Sequence, residues 1–234
     1  MRLPVLVVKL HRWLGLLLGL QVILWISGGL VMSAVSIGKV RGDDRRRDAD
    51  PTPIPAATPL LAPTTAAAAL GIGELTGARL VRRLGRLAYH LDTAAGPVMA
   101  DAATGERLPI LTAAEARAVA VADYAGRAEI AAVTRQEEPT LETRGREPPL
   151  WRVEFADGRR TTIYIDAVGG EVAARRNVLW RVYDVFWMLH IMDYRARDDF
   201  NHPLLVGSAA VAWFLALSGA WLVVLWLKRR ARRT

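Results

Sequence analysis

The residues of this 234-residue chain with the clearest capacity for redox chemistry are its four histidines, His11, His90, His190 and His202. An imidazole nitrogen can hold a haem iron as an axial ligand. The chain contains no cysteine, which excludes thiolate metal sites, c-type haem attachment, disulfides and a cysteine nucleophile. Any haem would therefore be haem b, held by axial side chains and packing.

His11 stands in the segment KLHRWLGLLLGL, where Gly15 and Gly19 share its helical face. Small residues beside a histidine would admit a macrocycle, so His11 is a candidate haem ligand. A histidine between Lys9 and Arg12 is also typical of the point where a helix enters lipid. The sequence leaves both interpretations open.

His190 and His202 form a second candidate pair of haem ligands. A continuous helix would hold them about 18 Å apart, but a break before Pro203 would allow them to approach. As polar anchors at a membrane surface they would need no cofactor. His90 follows Tyr89 on a predicted strand and is interpreted as a surface residue.

Two uncharged stretches determine where these histidines lie. Residues 13–35 and 203–227 are each long enough to cross a hydrocarbon core of about 30 Å as a helix, and we predict two transmembrane helices. The basic flanks predict that residues 1–12 and the tail 228–234 are cytoplasmic. The net charge of +8 then reflects membrane orientation, so we expect a lipid bilayer and no nucleic acid as partner.

Small residues are patterned within both predicted spans, as they are on helix faces that pack closely in membranes. We expect these faces to contact each other, a partner protein or a second copy of the chain. The residues are Gly15 and Gly19 in the first span and Ser208, Ala212, Ala216 and Ala220 in the second.

The segment between the spans contains an internal repeat. AYHLD (88–92) aligns with LWRVE (150–154), and VMADAATGERL (98–108) aligns with IYIDAVGGEVA (163–173), sharing Asp-Ala-x-x-Gly-Glu. Thr112 and Glu115 form a capping box before an alanine-rich helix, and alternating strands follow. We therefore predict an α+β domain built from two helix-plus-hairpin units.

The predicted boundaries of these parts follow from composition. A proline- and alanine-rich linker covers 36–69, the first repeat 70–111 and the second repeat 112–176. Residues 177–202 are predicted to form an amphipathic interfacial helix and a turn before the second span.

No residues of the domain form a predicted catalytic or metal site. Asp101 and Asp166 stand where strands end in turns, and a carboxylate there is expected to bond its own backbone. The chain has no nucleotide-binding loop, so we do not predict an enzyme.

The helix-then-hairpin unit ending in YIDAVGGEV resembles a PepSY domain. The segments HRWLGLLLGL and NHPLLVGSAAVAWFLALSGAWL resemble the flanking helices of PepSY-associated transmembrane proteins. This resemblance implies a bacterial inner-membrane protein whose periplasmic domain is a binding or regulatory module, accessory to iron uptake or redox chemistry. Two alternatives remain: a haem b electron-transfer subunit of the ferric-chelate reductase type, and a module that inhibits a peptidase.

Overall fold

The computed structural model describes residues 3–48 and 52–232 of the chain. The protein is α+β, as predicted, with two long apolar helices and a central part that contains two sheets. It divides into two compact units. We call Gly38–Trp180 the domain, and Met1–Ile37 together with Arg181–Thr234 the helical unit.

The described α-helices, in chain order, are α1 Leu3–Ala34, α2 Ile37–Arg41, α3 Pro63–Ala69, α4 Ala113–Asp123, α5 Val178–Ile191 and α6 Pro203–Ala231. The described strands are β1 Gly77–Arg83, β2 Arg86–Thr93, β3 Gly96–Asp101, β4 Ile130–Gln136, β5 Leu150–Phe155, β6 Thr162–Asp166 and β7 Val172–Arg176. Both sheets are antiparallel, in the orders β1-β2-β3 and β4-β5-β6-β7.

Each sheet buries one face against one helix. Ala66 and Ala67 of α3 pack on Tyr89 and Leu91 of the first sheet. The second sheet forms the larger core, because α4 presents small side chains to a face that is rich in large apolar residues. That core contains Ala116, Ala120, Tyr124, Val153, Phe155, Ile163 and Ile165. The capping box predicted for α4 is present: the Glu115 N–H donates to Thr112 Oγ1, and Glu115 Oε2 accepts from the Thr112 N–H.

The third strand of each sheet, β3 in the first and β6 in the second, is followed by a turn of the same geometry. In the first repeat the Asp101 N–H donates to the Glu106 carbonyl. In the second repeat the Asp166 N–H donates to the Glu171 carbonyl in the same way. Gly105 has φ +76° and Gly170 has φ +80°, a left-handed conformation that glycine adopts without strain. The shared Asp-Ala-x-x-Gly-Glu therefore encodes one turn geometry used twice.

The start of each repeat is also fixed by the same hydrogen bond. The Leu61 N–H donates to the Ala102 carbonyl, and the Leu111 N–H donates to the Ala167 carbonyl. Leu61 and Leu111 each lie two residues before the first residue of their helix, α3 or α4. The first repeat thus begins at Leu61, and its helix lies inside the segment that we predicted as linker.

The linker prediction for 36–69 is wrong at its other end as well. Val40 is buried, and the Asn177 side chain donates to the carbonyls of Lys39 and Val40. Asp44 forms an ion pair with Arg159 at 2.6 Å. The charges of this stretch indicated a solvated segment, but Asp44 pairs with Arg159 and Arg47 donates to the Tyr124 carbonyl.

Two helices of the helical unit are long and apolar enough to cross a membrane. They are Val5–Ala34 within α1 and Pro203–Ala231, each with a mean hydropathy of 2.1. Most of their surface is exposed, unlike that of a buried core helix. α1 begins ten residues before the predicted Trp13, because Lys9 and Arg12 interrupt the apolar run without opposing a helix.

Candidate functional site

His11 lies at the contact between α1 and α6. Its Nδ1 is 2.8 Å from Ser218 Oγ, and Ser218 Oγ donates to the Leu215 carbonyl at 3.1 Å. Since the serine proton is used, Nδ1–H is the donor to Ser218. A Cβ added to Gly219 would lie 3.2 Å from His11 Cε1, so the edge of the imidazole faces the α6 backbone.

The imidazole of His11 is thus engaged between the two helices, and its role as a haem ligand stays a prediction. The other ring nitrogen, Nε2, would lie 3.9 Å from a Cβ added to Gly219. The imidazole joins the two helices through one hydrogen bond. Gly219 was not singled out from the sequence, although it lies on the helix face that carries Leu215 and Leu222.

The predicted stripe on α6 follows that contact face only in part. Ser208 is buried and Ala212 is half-buried, but Ala216 and Ala220 are exposed. A repeat of four residues advances about 40° beyond a full turn at each step, so it leaves the face it starts on. The face toward α1 instead follows steps of three and four residues. It contains Leu205, Ser208, Ala212, Leu215, Gly219, Leu222 and Leu225.

The predicted pair Gly15 and Gly19 does not mark a tight contact within the described chain. A Cβ at Gly15 would be 3.9 Å from Leu215, an ordinary distance, and one at Gly19 would meet nothing within 4 Å. Gly28 is the glycine of α1 that another helix approaches. An added Cβ there would lie 3.5 Å from the Phe186 carbonyl and 3.7 Å from His190 Nδ1.

The C-terminal end of α5 packs on α1 through side-chain donors. Gln21 Nε2 donates to the Leu189 carbonyl at 2.9 Å, and Trp25 Nε1 donates to the His190 carbonyl at 2.8 Å. These carbonyls belong to the last turn of α5, which has no further helical N–H to bond. Two polar residues within an apolar helix thus satisfy the end of a second helix.

The two other candidate ligands have different surroundings. His190 Nδ1 is buried and has no hydrogen-bond partner among the described residues. His202 is the N-cap of α6, and its Nδ1 accepts from the Leu204 N–H at 3.3 Å. In a neutral imidazole that bond leaves the proton on Nε2, so His202 offers no free lone pair in this arrangement. The break between α5 and α6 is present, at residues 192–202.

Asp193 organises that break. Its carboxylate accepts hydrogen bonds from four backbone N–H groups, those of residues 195, 196, 198 and 199. Burial opposes ionisation, but these four donors outweigh it and lower the pKa of Asp193 to about 2. Nearby, Arg197 donates to the buried carboxylate of Asp184 at 2.5 Å. The connection is therefore a folded loop.

His90 of the domain is buried, so its interpretation as a surface residue is wrong. Nδ1 lies 3.0 Å from Arg79 Nη2 and 3.3 Å from Asp92 Oδ1. β2 is the central strand of its sheet, and the face that carries His90 is covered by the turn at Gly169. His90 serves the packing between the two repeats.

The carboxylates at the turns bond their own backbone, as predicted. Asp101 Oδ1 accepts from the N–H groups of Ala103 and Thr104, and these bonds lower its pKa. Asp166 Oδ1 accepts from the Val168 N–H. In residues 3–48 and 52–232, no three histidine or acidic side chains are grouped to hold a metal ion.

The most strongly perturbed groups of the domain surround Tyr164. Its hydroxyl donates to Glu142 Oε2 at 2.9 Å, and Arg176 Nε donates to the Glu142 carbonyl at 2.7 Å. Burial and the Glu142 charge raise the pKa of Tyr164 to about 12, whereas burial lowers that of Arg176 to about 10. The Arg176 guanidinium lies 4.3 Å from the centre of the Trp180 ring. Neither pKa is near neutrality, where acid–base catalysis works best.

No family model matches this chain, and neither does any curated protein or solved structure. The resemblance to PepSY proteins thus depends on the quoted residues. The features that any functional interpretation must use are the duplicated helix–sheet unit and the two long apolar helices with their buried polar contacts.

Proposed function

We propose that this protein is a PepSY-like binding or regulatory module anchored in the bacterial inner membrane by α1 and α6. Its domain lies in the periplasm and both termini lie in the cytoplasm. It serves as an accessory subunit of a membrane system for iron uptake or redox chemistry. Its partner is a membrane or periplasmic protein or a second copy of the chain.

The observation that carries this proposal is the duplication inside the domain. Both repeats use the same turn, the same glycine conformation and the same bond ahead of the helix. The polar groups of the domain form hydrogen bonds that stabilise this framework. Asp101 and Asp166 accept hydrogen bonds within their turns. Tyr164 and Arg176 both donate hydrogen bonds to Glu142. A framework of this kind suits recognition of a partner better than chemistry on a substrate.

The orientation is supported by the packing of the two long helices. His11 contacts Ser218 and Gly15 lies nearest Leu215, so α1 and α6 are antiparallel. Lys9 and Arg12 are therefore at the same end of the pair as the basic last turn of α6, Lys228, Arg229 and Arg230. Basic residues concentrate on the cytoplasmic side of membrane helices.

Cysteine labelling tests the location, because the natural chain has no cysteine. Ala95→Cys and Gly158→Cys lie at exposed positions of the domain, and Arg232→Cys follows α6. A membrane-impermeant maleimide should label the first two in intact spheroplasts, and the third only after lysis. Labelling of Arg232→Cys alone before lysis would reverse the proposed topology.

Growth on iron sources tests the cellular role. Deletion of the gene should slow growth on ferric chelates, and the full-length chain should restore it. Rescue of the deletion by ferrous iron would indicate a role at the reduction step, whereas a defect on both iron forms would indicate a role in uptake itself. Unchanged growth on every ferric chelate tested would contradict the iron-uptake role.

The second candidate function is a haem b electron-transfer subunit, which is favoured by the buried and unpartnered Nδ1 of His190. In that case His190 would supply an axial ligand from within the helical unit, and the haem would supply one-electron chemistry. His11 is engaged with Ser218 of α6, and His202 would have to release its bond to Leu204. The visible absorbance of the purified protein distinguishes the two functions.

A further inference from the structure

A groove of about 580 Å³ runs along α1 beside the end of α6. Its cationic side chains are Lys9, Arg12 and Arg229. Its apolar lining consists of Val5, Val8, Trp13 and Leu16. The groove thus combines three positive charges with a wall of hydrocarbon.

The positive charge of this groove is not balanced by the protein. Neither α1 nor α6 contains an aspartate or glutamate. No carboxylate forms an ion pair with Lys9, Arg12 or Arg229 in the part of the chain that the structure describes. Lys9, Arg12 and Arg229 are all exposed, so an anionic ligand can reach these unbalanced charges from outside the protein.

The three cations line one groove from two different helices. Lys9 and Arg12 are three residues apart and share a face of α1, and side chains on a helix tilt toward its N-terminus. Arg229 tilts toward the N-terminus of α6, which is the opposite direction because the helices are antiparallel. The side chains of the two helices therefore tilt toward each other along the groove, and several cations at one site suit a phosphate group, which accepts several charged donors at once.

We propose that this groove binds one anionic phospholipid, with its phosphate held by Lys9, Arg12 and Arg229 and an acyl chain lying against Trp13 and Leu16. The positive charge favours binding of an anion, and the exposed apolar side chains favour contact with an alkyl chain. Trp13 is 63 % exposed and Leu16 is 75 % exposed. A free phosphate would balance the charge and leave both side chains uncovered, whereas a phospholipid covers all of the groove.

Native mass spectrometry of the full-length, delipidated protein tests this proposal. Phosphatidylglycerol should bind in preference to phosphatidylcholine of the same chain length. Removing one charge by Arg12→Gln or Arg229→Gln should weaken phosphatidylglycerol binding about fivefold. Arg230→Gln is the matched control: it removes the same charge from the adjacent residue, which contacts Trp226 and does not line the groove.

Three further results decide the outcome. Thermal unfolding of each variant should match that of the parent, so that weaker binding reflects the groove and not misfolding. Millimolar inorganic phosphate should fail to displace the lipid, and displacement would reduce the groove to an anion site and overturn the acyl-chain contact. Equal binding of both lipids, or equal loss from Arg230→Gln, would overturn the proposal.

Discussion

Tyr89 and Trp151 occupy the same position in the two repeats, and each donates a hydrogen bond to the carbonyl just ahead of its own helix. The Tyr89 hydroxyl donates to the Leu61 carbonyl at 2.6 Å, and Trp151 Nε1 donates to the Leu111 carbonyl at 2.8 Å. The aromatic ring packs between helix and sheet while its polar end fixes the entry of the chain. The duplication therefore includes an equivalent side-chain hydrogen bond in each repeat, although a tyrosine donates it in the first and a tryptophan in the second.

Removing one of these bonds should destabilise the domain. Tyr89→Phe leaves the Leu61 carbonyl without its donor at a partly buried site, which costs about 1–2 kcal/mol. Thermal unfolding followed by circular dichroism should show a lower Tm for this variant. Tyr194→Phe is the control, because Tyr194 is 49 % exposed. An equal loss in both variants would contradict a specific role for the Tyr89 bond.

The two turn glycines should be intolerant of alanine. A Cβ at Gly105 would lie 3.2 Å from Leu61, and one at Gly170 would lie 3.2 Å from Arg83 and Leu111, in addition to the positive φ. Gly105→Ala and Gly170→Ala should each lower stability by roughly 1–3 kcal/mol. Gly158→Ala, with nothing within 4 Å, should leave the melting temperature close to that of the parent. Similar losses at all three positions would show that the conformation of the turn is not the cause.

The strands and turns of the repeat could be predicted from the sequence. The helix of the first repeat could not. The helix of the second repeat, α4, has a capping box and eleven residues. The helix of the first repeat, α3, has only the seven residues PTTAAAA and follows a proline-rich segment. Such a composition is typical of a linker, because short alanine side chains bury little surface. Burial of Ala66 and Ala67 depends on contacts with residues far along the chain, which local pattern does not contain.

The sequence could predict that α1 and α6 pack against each other, but not which face of each helix makes the contact. Small residues indicate that helices approach, but in a fully apolar helix hydrophobicity does not distinguish one face from another. The packed face is set by the partner helix, where His11 requires Ser218 and the missing side chain of Gly219. A period of 3.6 residues applied to Ser208 would have led to Gly219 instead of Ala220.

A leucine substitution should destabilise the protein on the face of α6 that packs against α1, and have no effect on stability on the exposed face. Gly219→Leu places a side chain into the His11 ring and should cost about 1–3 kcal/mol by overpacking. Ala216→Leu lies on an exposed face and should leave the melting temperature in detergent unchanged. A loss of oligomer with Ala216→Leu, at unchanged melting temperature, would identify that face as a contact with another chain. Destabilisation by Ala216→Leu alone would contradict the packing described here.

Tyr164 should make the domain sensitive to alkaline pH. Its pKa is raised to about 12 in the folded state and is about 10 when unfolded. The folded state keeps this proton more tightly, so the associated stability is fully present below about pH 10 and is lost as pH rises toward 12. Thermal unfolding between pH 9 and 11 should decline more steeply for the parent than for Tyr164→Phe. Parallel profiles would contradict the raised pKa. Arg176 acts in the opposite sense in both proteins, because its folded pKa is lowered to about 10.

The absorbance of the purified protein should decide between the two proposed functions. If the protein is a binding module, preparations from haem-replete cells should be colourless while remaining folded and membrane-bound. If it carries haem b, the Soret band should disappear in His190→Gln and persist in His11→Gln, because His11 faces α6 through Ser218 and Gly219. His11→Gln is a demanding control, since it also disturbs the helical unit without removing the candidate ligand. A Soret band abolished by His11→Gln and retained by His190→Gln would show that α1 and α6 separate to admit the cofactor, contrary to the packing of His11 in this structure.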